Sequence, residues 1–185
     1  MKATIETKRL VLRNFQLSDA KSMFDSYCHS ERITRYLTWY PHGNVEATKE
    51  FITTIQLPHI EMDNALDLAI TLKGEDQVIG SIGTVNDFLQ DDYAEIGYVI
   101  GEKYWNQGYM SEAFEAVIAF LFTHTPVTRI KAIHHLENQA SGRVMQKCGM
   151  KYTGEVFVKQ KIDKEDLVKC ACYTLEKADW LKQNA

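Results

Sequence analysis

Two stretches of this chain hold residues whose types and spacing suit chemistry on a phosphorylated ligand. The first runs Gly101-Glu-Lys-Tyr-Trp-Asn-Gln-Gly-Tyr-Met-Ser-Glu-Ala-Phe-Glu-Ala-Val-Ile-Ala-Phe-Leu-Phe122, a turn with an interior glycine leading straight into a helical pattern. The first turn of a helix leaves backbone N–H groups without partners, and with the positive end of the macrodipole they attract an anion without any basic side chain. Gly108 has no Cβ, tolerates φ > 0 and lets a ligand come close, so the amides of Gln107, Gly108, Tyr109, Met110 and Ser111 are expected to ring a pyrophosphate. The second stretch, Asn138-Gln-Ala-Ser-Gly-Arg-Val-Met-Gln-Lys-Cys-Gly-Met150, opens a helix with an amide at Asn138 and a hydroxyl at Ser141.

Together these stretches resemble the GNAT acyl-CoA N-acyltransferase superfamily. Its phosphate motif, Gln or Arg, x, x, Gly, x, Gly or Ala, is answered by Trp105-Asn-Gln-Gly108-Tyr-Met110, in which the central glycine is the strict match. The setting is similar to the ribosomal-protein N-terminal acetyltransferase-like branch. That branch shows Trp-x-x-Gly-Tyr-x-Ser/Thr-Glu-Ala, matched from Trp105 to Ala113, and opens with Glu-Thr-x-Arg-Leu-x-Leu-Arg, matched from Glu6 to Arg13 with Asp19-Ala20 following. A third match is Asn138-x-x-Ser141 ending in Lys147-x-Gly149-Met150, where the family usually has Gly-Phe. The resemblance spans nearly the whole chain. It implies a mixed α/β fold, a GNAT-like central sheet whose two parallel strands splay apart between flanking helices. It also implies acetyl-CoA as cosubstrate, pantetheine pairing with the backbone of Tyr98, Val99 and Ile100, and an amine acceptor.

Acetyl transfer from a thioester to an amine sets three demands. The amine must be neutral, since a lysine-type amine with a pKa near ~10.4 is otherwise protonated and has no lone pair. The carbonyl oxygen gains charge and needs an N–H donor, which the resemblance places on the strand backbone near Val99. The departing thiolate can take a proton from an acid. Glu95, beside the implied thioester strand, is the candidate base, with a solvated strand glutamate as the alternative; Gly97 suggests a bulge that leaves its direction open. His134 and His135 are rivals, of which at most one faces the cleft because adjacent strand residues point to opposite faces. The tyrosine many members use as acid is replaced by Met145, so Ser141 is its substitute, matching a serine of the ribosomal branch, or else a helix-start hydroxyl that only contacts CoA. Asn138 is read as a CoA contact as well as a cap, and Arg143 and Lys147 as candidate phosphate contacts.

The elements that must hold these residues follow from periodicity. Thr4 to Asn14 reads as a first strand, Ser18 as the cap of a helix to Cys28, and Asn44 as the cap of a helix to about Ile60, with Pro58 unsettling its last turn. Strands at Leu66 to Leu72, Val78 to Phe88 and Ala94 to Ile100, joined by short turns, read as an antiparallel meander. The helix after Gly108 has Ala113, Ala116, Val117, Phe120 and Leu121 on its buried face and Glu112 and Glu115 on the other. It crosses over to a strand at Thr128 to Leu136, which must then run parallel to Ala94–Ile100. A helix from Asn138, strands at Tyr152 to Lys159 and Val168 to Leu175, and a tail helix complete the chain.

Composition narrows the class. The 185 residues fit one domain, 1–185, with 45% hydrophobic residues to fill a core. A net charge of −4 with no basic cluster argues against nucleic acid, and the absence of an apolar leader or long apolar run argues against a membrane and for a cytoplasmic protein. Cys28, Cys148, Cys170 and Cys172 lack metal-site spacing and read as buried thiols, so no metal is expected. Gly80-Ser-Ile-Gly83 lacks the third glycine of a dinucleotide fingerprint and no P-loop occurs, which removes dehydrogenase and kinase readings. Three functions stay open: acetylation of a protein N-terminal or side-chain amine, acetylation of a small amine such as a polyamine, amino acid or aminoglycoside, and a noncatalytic CoA-binding module. Glu61, Asp63, Asp67, Asp91 and Asp92 flank the implied acceptor side and would suit a cationic acceptor, or are solvated loop charges. Monomer and homodimer are both compatible with the sequence.

Overall fold

A computed structural model describes residues 1–184. The expected first strand is two strands, β1 (Thr4–Glu6) and β2 (Leu10–Arg13), paired antiparallel. The reversal needs no glycine or proline, because Thr7 N donates to the Leu10 carbonyl at 3.0 Å while Leu10 N donates back to Thr7 Oγ1 at 2.9 Å.

The first helix, α1 (17–28), begins as a 3-10 turn, is α-helical over Ala20–Met23 and widens to a π-helix over Phe24–Cys28. It already includes Ser18, the expected cap; instead Asp19 closes the start of the helix by accepting from Gln16 N at 2.8 Å. Ser30 caps the short α2 (Glu31–Thr34). Helix α3 (45–60) is capped by Asn44, whose Oδ1 accepts from Ala47 N at 2.9 Å, and it passes Pro58 because a π-helical stretch at Ile52–Gln56 re-spaces the backbone just ahead of it.

Strands β3 (Asp67–Leu72), β4 (Val78–Thr84) and β5 (Ala94–Ile100) form the meander. Helix α4 (Tyr109–His124) crosses to β6 (Arg129–His135), followed by α5 (Gln139–Lys147), β7 (Lys151–Lys159), β8 (Leu167–Glu176) and α6 (Lys177–Gln183). One eight-stranded sheet results, in the order β1-β2-β3-β4-β5-β6-β8-β7. Of its strand pairs only β5 and β6 are parallel, and they pair solely at Ala94 with Ile130 and Glu95 with Lys131 before separating. The β4–β5 register runs unbroken through Gly83 and Gly97, so Gly97 makes no bulge and the side chains of β5 alternate regularly.

Two cores sandwich the sheet. On one face Leu10, Leu12, Leu68, Ile70 and Ile96 meet Ala113, Phe114, Val117, Ile118, Leu121 and Phe122 of α4. Phe114, Ile118 and Phe122 take the buried places that periodicity assigns to Ala116 and Phe120, a rotation of the helix that sets its larger side chains inward. On the other face Ala20, Met23 and Tyr27 of α1 and Ile52 of α3 cover Ala69 and Val78. All four cysteines are buried and free.

Candidate active site

Gly108 adopts φ 78°, ψ 2°, a left-handed conformation that glycine takes at little cost, and it sits as the N-cap of α4. With no side chain to cap the helix, it leaves the first-turn amides at Tyr109, Met110 and Ser111 for an anion. These residues line a cavity of about 500 Å³ together with Asn106 and Gly108. Gln107 does not line it: its side chain donates to the Lys103 carbonyl at 2.7 Å, and its own carbonyl accepts from Arg9 Nη1 at 2.9 Å. Arg143 and Lys147, one turn apart on α5, face the same cavity. Nearby, Cys148 Sγ lies 3.7 Å from the Ser111 carbonyl, and burial pushes its thiol up to about 12, so it stays a protonated, unreactive packing group.

From this helix start the cavity runs to the gap between β5 and β6, where Tyr98, Val99 and Ile100 line one side and Asn138 and Ser141 the other. The bonds Gly101 N to Ile79 O and Val85 N to Glu95 O, both 2.9 Å, fix the phase of the β4–β5 ladder. Odd-numbered residues of β5 therefore turn their backbone groups toward β4, while those of Tyr98 and Ile100 face the gap. This corrects the expectation for Val99, whose N–H and carbonyl belong to the ladder; it contributes its side chain to the wall. The Ile100 carbonyl is also taken, by Trp105 Nε1 at 2.9 Å. That leaves the N–H groups of Tyr98 and Ile100 as the donors aimed at the gap.

Asn138 Oδ1 accepts from Ser141 N at 3.4 Å and so caps α5. This cap puts Ser141 in the first turn, where its Oγ lies 2.8 Å from the Tyr98 hydroxyl reaching across from β5. Met145, the position where a tyrosine acid is expected, is fully buried and has no proton to give.

Glu95 lies on the opposite face of the sheet from Tyr98 by strand alternation, in an ion pair of 2.8 Å with Lys131. Burial works to lower the Lys131 pKa, but the hydrogen bond and charge of Glu95, with Tyr93, outweigh it and leave the pKa raised. The two histidines separate as alternation requires. His134 is buried beneath α5, with the backbone of Gly142 so close that a Cβ there would meet its Nε2 at 2.6 Å. His135 lies tilted against the Tyr36 ring, 5.0 Å between centroids, and its Nδ1 accepts from Glu137 N at 3.1 Å.

Two features of the site escape the sequence pattern. Glu112, which periodicity sets on a solvated face, is held by Thr7 Oγ1 at 2.6 Å, Arg9 N at 2.8 Å and Arg9 Nε at 2.6 Å. Lys161, at the tip of the β7–β8 hairpin, buries its Nζ among the carbonyls of Thr34, Leu37 and Trp39 at 2.8, 2.9 and 2.9 Å. It thereby anchors the segment that carries Arg35, Tyr36 and Leu37 along the cavity wall. The flanking acidic residues do not gather at the cavity: Glu61 pairs with Lys2, Asp92 with Arg129, and Asp67 lies beside His59. Among the described residues no group of three or more His, Cys, Asp or Glu side chains is placed to hold a metal, and no helix is long and apolar enough to cross a membrane.

A splayed parallel strand pair, an uncapped glycine-led helix start and a cavity joining them define the chain as an acyl-CoA-dependent N-acyltransferase. Residues 9–151 match the model of the acetyltransferase (GNAT) domain, and the chain belongs to that family. It is similar to the uncharacterized N-acetyltransferase YnaD of Bacillus subtilis, 35% identical over 162 residues that cover 86% of this chain and 88% of YnaD. The crystal structure of a GNAT-family acetyltransferase from Bacillus anthracis superposes with a TM-score of 0.80 at 26% identity, covering 95% of this chain and 99% of that one. RimL, a ribosomal L7/L12 alpha-N-protein acetyltransferase solved with coenzyme A, shares the fold with a TM-score of 0.79 at 20% identity over 94% of this chain and 98% of RimL. The enzyme is thus an acetyl-CoA-dependent N-acetyltransferase.

Proposed function

We propose that the acceptor is the α-amine of a peptide or protein N-terminus, which attacks the thioester directly in the gap between β5 and β6. The observation that carries this reading is the make-up of the cavity wall: Arg32, Arg35, Arg143 and Lys147 line it, and none of its described lining residues is a carboxylate. Such a wall offers no carboxylate side chain to hold a polyamine or aminoglycoside, while Arg32 and Arg35 are held by Glu102 and Glu137 at its rim. An α-amine with a pKa of about 7.7–8.0 is in part neutral near pH 7, so a base paired with Lys131 is needed mainly for the proton that the nitrogen releases on attack.

In this reading the pyrophosphate lies against the amides of Tyr109 to Ser111, with Gln107 and Gly108 shaping the turn and Asn138 beside the pantetheine. The carbonyl oxygen accepts from the gap-facing N–H of Tyr98 or Ile100. Glu95, reached directly or through one water, takes the amine proton, and Ser141 gives a proton to the departing thiolate. Release of CoA thiol should be screened across peptides with free and blocked N-termini, polyamines, amino acids and aminoglycosides, with intact-mass analysis. Acetylation confined to free peptide N-termini supports the proposal; turnover confined to polyamines or aminoglycosides overturns it.

A further inference from the structure

The side chain of Tyr98 takes no direct part in this proton traffic, yet it is the group that touches Ser141. It extends from β5, packs its ring 5.3 Å from that of Phe114, and brings its hydroxyl across the strand gap to 2.8 Å from Ser141 Oγ and 3.0 Å from the Ser141 carbonyl. The phenol has one hydrogen and two acceptors in reach. When that hydrogen goes to the carbonyl, the Ser141 hydroxyl can satisfy Tyr98 only by donating to it, and its proton is turned away from the cavity. When it goes to Oγ, the Ser141 proton is free to point into the cavity that both residues line.

We propose that Tyr98 is the positioning residue of this acetyltransferase's acid, switching its hydrogen bond from the Ser141 carbonyl to Ser141 Oγ as the thiolate leaves. The inference rests on the proposed role of Ser141 as proton donor. As the tetrahedral intermediate collapses, the C–S bond breaks and its electron pair goes to sulfur, which takes the Ser141 Oγ proton. The Tyr98 hydrogen bond stabilises the partial charge growing on Oγ, which takes a proton from water as it gives its own so that no free alkoxide forms, while the proton taken from the amine by Glu95 returns to water. Tyr98 keeps its own proton throughout. Burial favours this by pushing the phenol well above its ordinary pKa, a rise that the Ser141 hydrogen bond only partly offsets.

The test is a double-mutant cycle of Tyr98→Phe and Ser141→Ala, reading kcat and the acetyl-CoA KM separately, with thermal unfolding and calorimetric CoA binding to confirm that each variant is folded. Phenylalanine retains the ring packing on Phe114, so a purely structural role predicts little change or a change in KM. Expected is a fall in kcat of about tenfold in Tyr98→Phe with KM within about twofold, and no additional loss when the change is made in Ser141→Ala. Full turnover in Ser141→Ala would remove the underlying reading of the serine. A slow Ser141→Ala enzyme beside a fully active Tyr98→Phe enzyme, or equal losses from Tyr98→Phe with and without Ser141, would overturn the inference itself.

Discussion

Arg9 Nε stands 2.6 Å from Glu112 Oε2, joining the turn between β1 and β2 to the first turn of α4. The same guanidinium reaches the Gln107 carbonyl at 2.9 Å and lies over the Tyr109 ring at 4.3 Å, so it spans both sides of Gly108. Two sequence motifs that lie about a hundred residues apart thus meet as one brace, which fixes the loop proposed to receive the pyrophosphate.

Replacing Arg9 by Met should loosen this loop while leaving the strand gap alone. Acetyl-CoA KM is expected to rise about tenfold, with kcat within about twofold. The brace should also fail in acid. Burial raises the Glu112 pKa, but the hydrogen bonds from Thr7 and Arg9 and the Arg9 charge outweigh it and hold the carboxylate below its ordinary 4.5. A carboxylate depressed in the folded state contributes stability above its unfolded pKa and loses it as pH falls through the folded value. Unfolding temperatures measured downward from about pH 6 should therefore drop more steeply below about pH 4.5 in the native enzyme than in Glu112→Gln. Parallel curves would show that the pair contributes nothing.

Gly108→Val should reduce CoA affinity by at least about tenfold, or ~1.4 kcal/mol. The added Cβ meets nothing nearer than Arg9 Nη2 at 3.4 Å, so the damage comes from the backbone: a β-branched residue resists φ 78° and pulls the amides of the turn out of line. Calorimetry on the folded variant decides this, and an unchanged affinity would move the pyrophosphate elsewhere.

The parts of this site that periodicity encodes are legible in the order of residues alone. Strand alternation at Ala94–Ile100, the helix after Gly108 though not its exact buried face, and the parallel crossover to Arg129–His135 are local or topological consequences of that order, and the resemblance added the splay between the two strands. What escaped were pairings set by the packed fold. Tyr98 and Ser141 are 43 residues apart, Arg9 and Glu112 103, and Lys161 and Thr34 127, and none of these couples carries a periodic mark. The backbone phase of Val99 escaped for a related reason, since it depends on the partner β4 selects and not on β5 itself.

Lys161→Met should separate acceptor binding from CoA binding. It removes the ammonium from three carbonyls in the Thr34–Trp39 segment, which would then lack their donor, at a cost of about 1–3 kcal/mol in stability. Because this segment carries Arg35, Tyr36 and Leu37 along the cavity, the acceptor KM should increase several-fold while the acetyl-CoA KM stays near its native value. Steady-state kinetics with each substrate varied in turn would show it, and equal rises in both KM values would mean that the clamp supports the whole fold instead.

Glu95→Gln bears on the deprotonation itself. The amide keeps the shape of the carboxylate, loses the ion pair with Lys131 and cannot accept the amine proton, so turnover should fall roughly 10²–10⁴-fold while calorimetric acetyl-CoA binding stays nearly intact. Raising the pH should shrink the deficit, because more of the acceptor is then neutral in solution and hydroxide more readily takes the proton that the nitrogen releases on attack. Binding is spared because Glu95 sits on the sheet face opposite Tyr98 and Ser141 and is not among the residues lining the cavity proposed to hold CoA. Full activity at neutral pH would assign the deprotonation to water. His134, packed beneath α5, and His135, with Nδ1 already accepting a backbone N–H, are not positioned to take over that role.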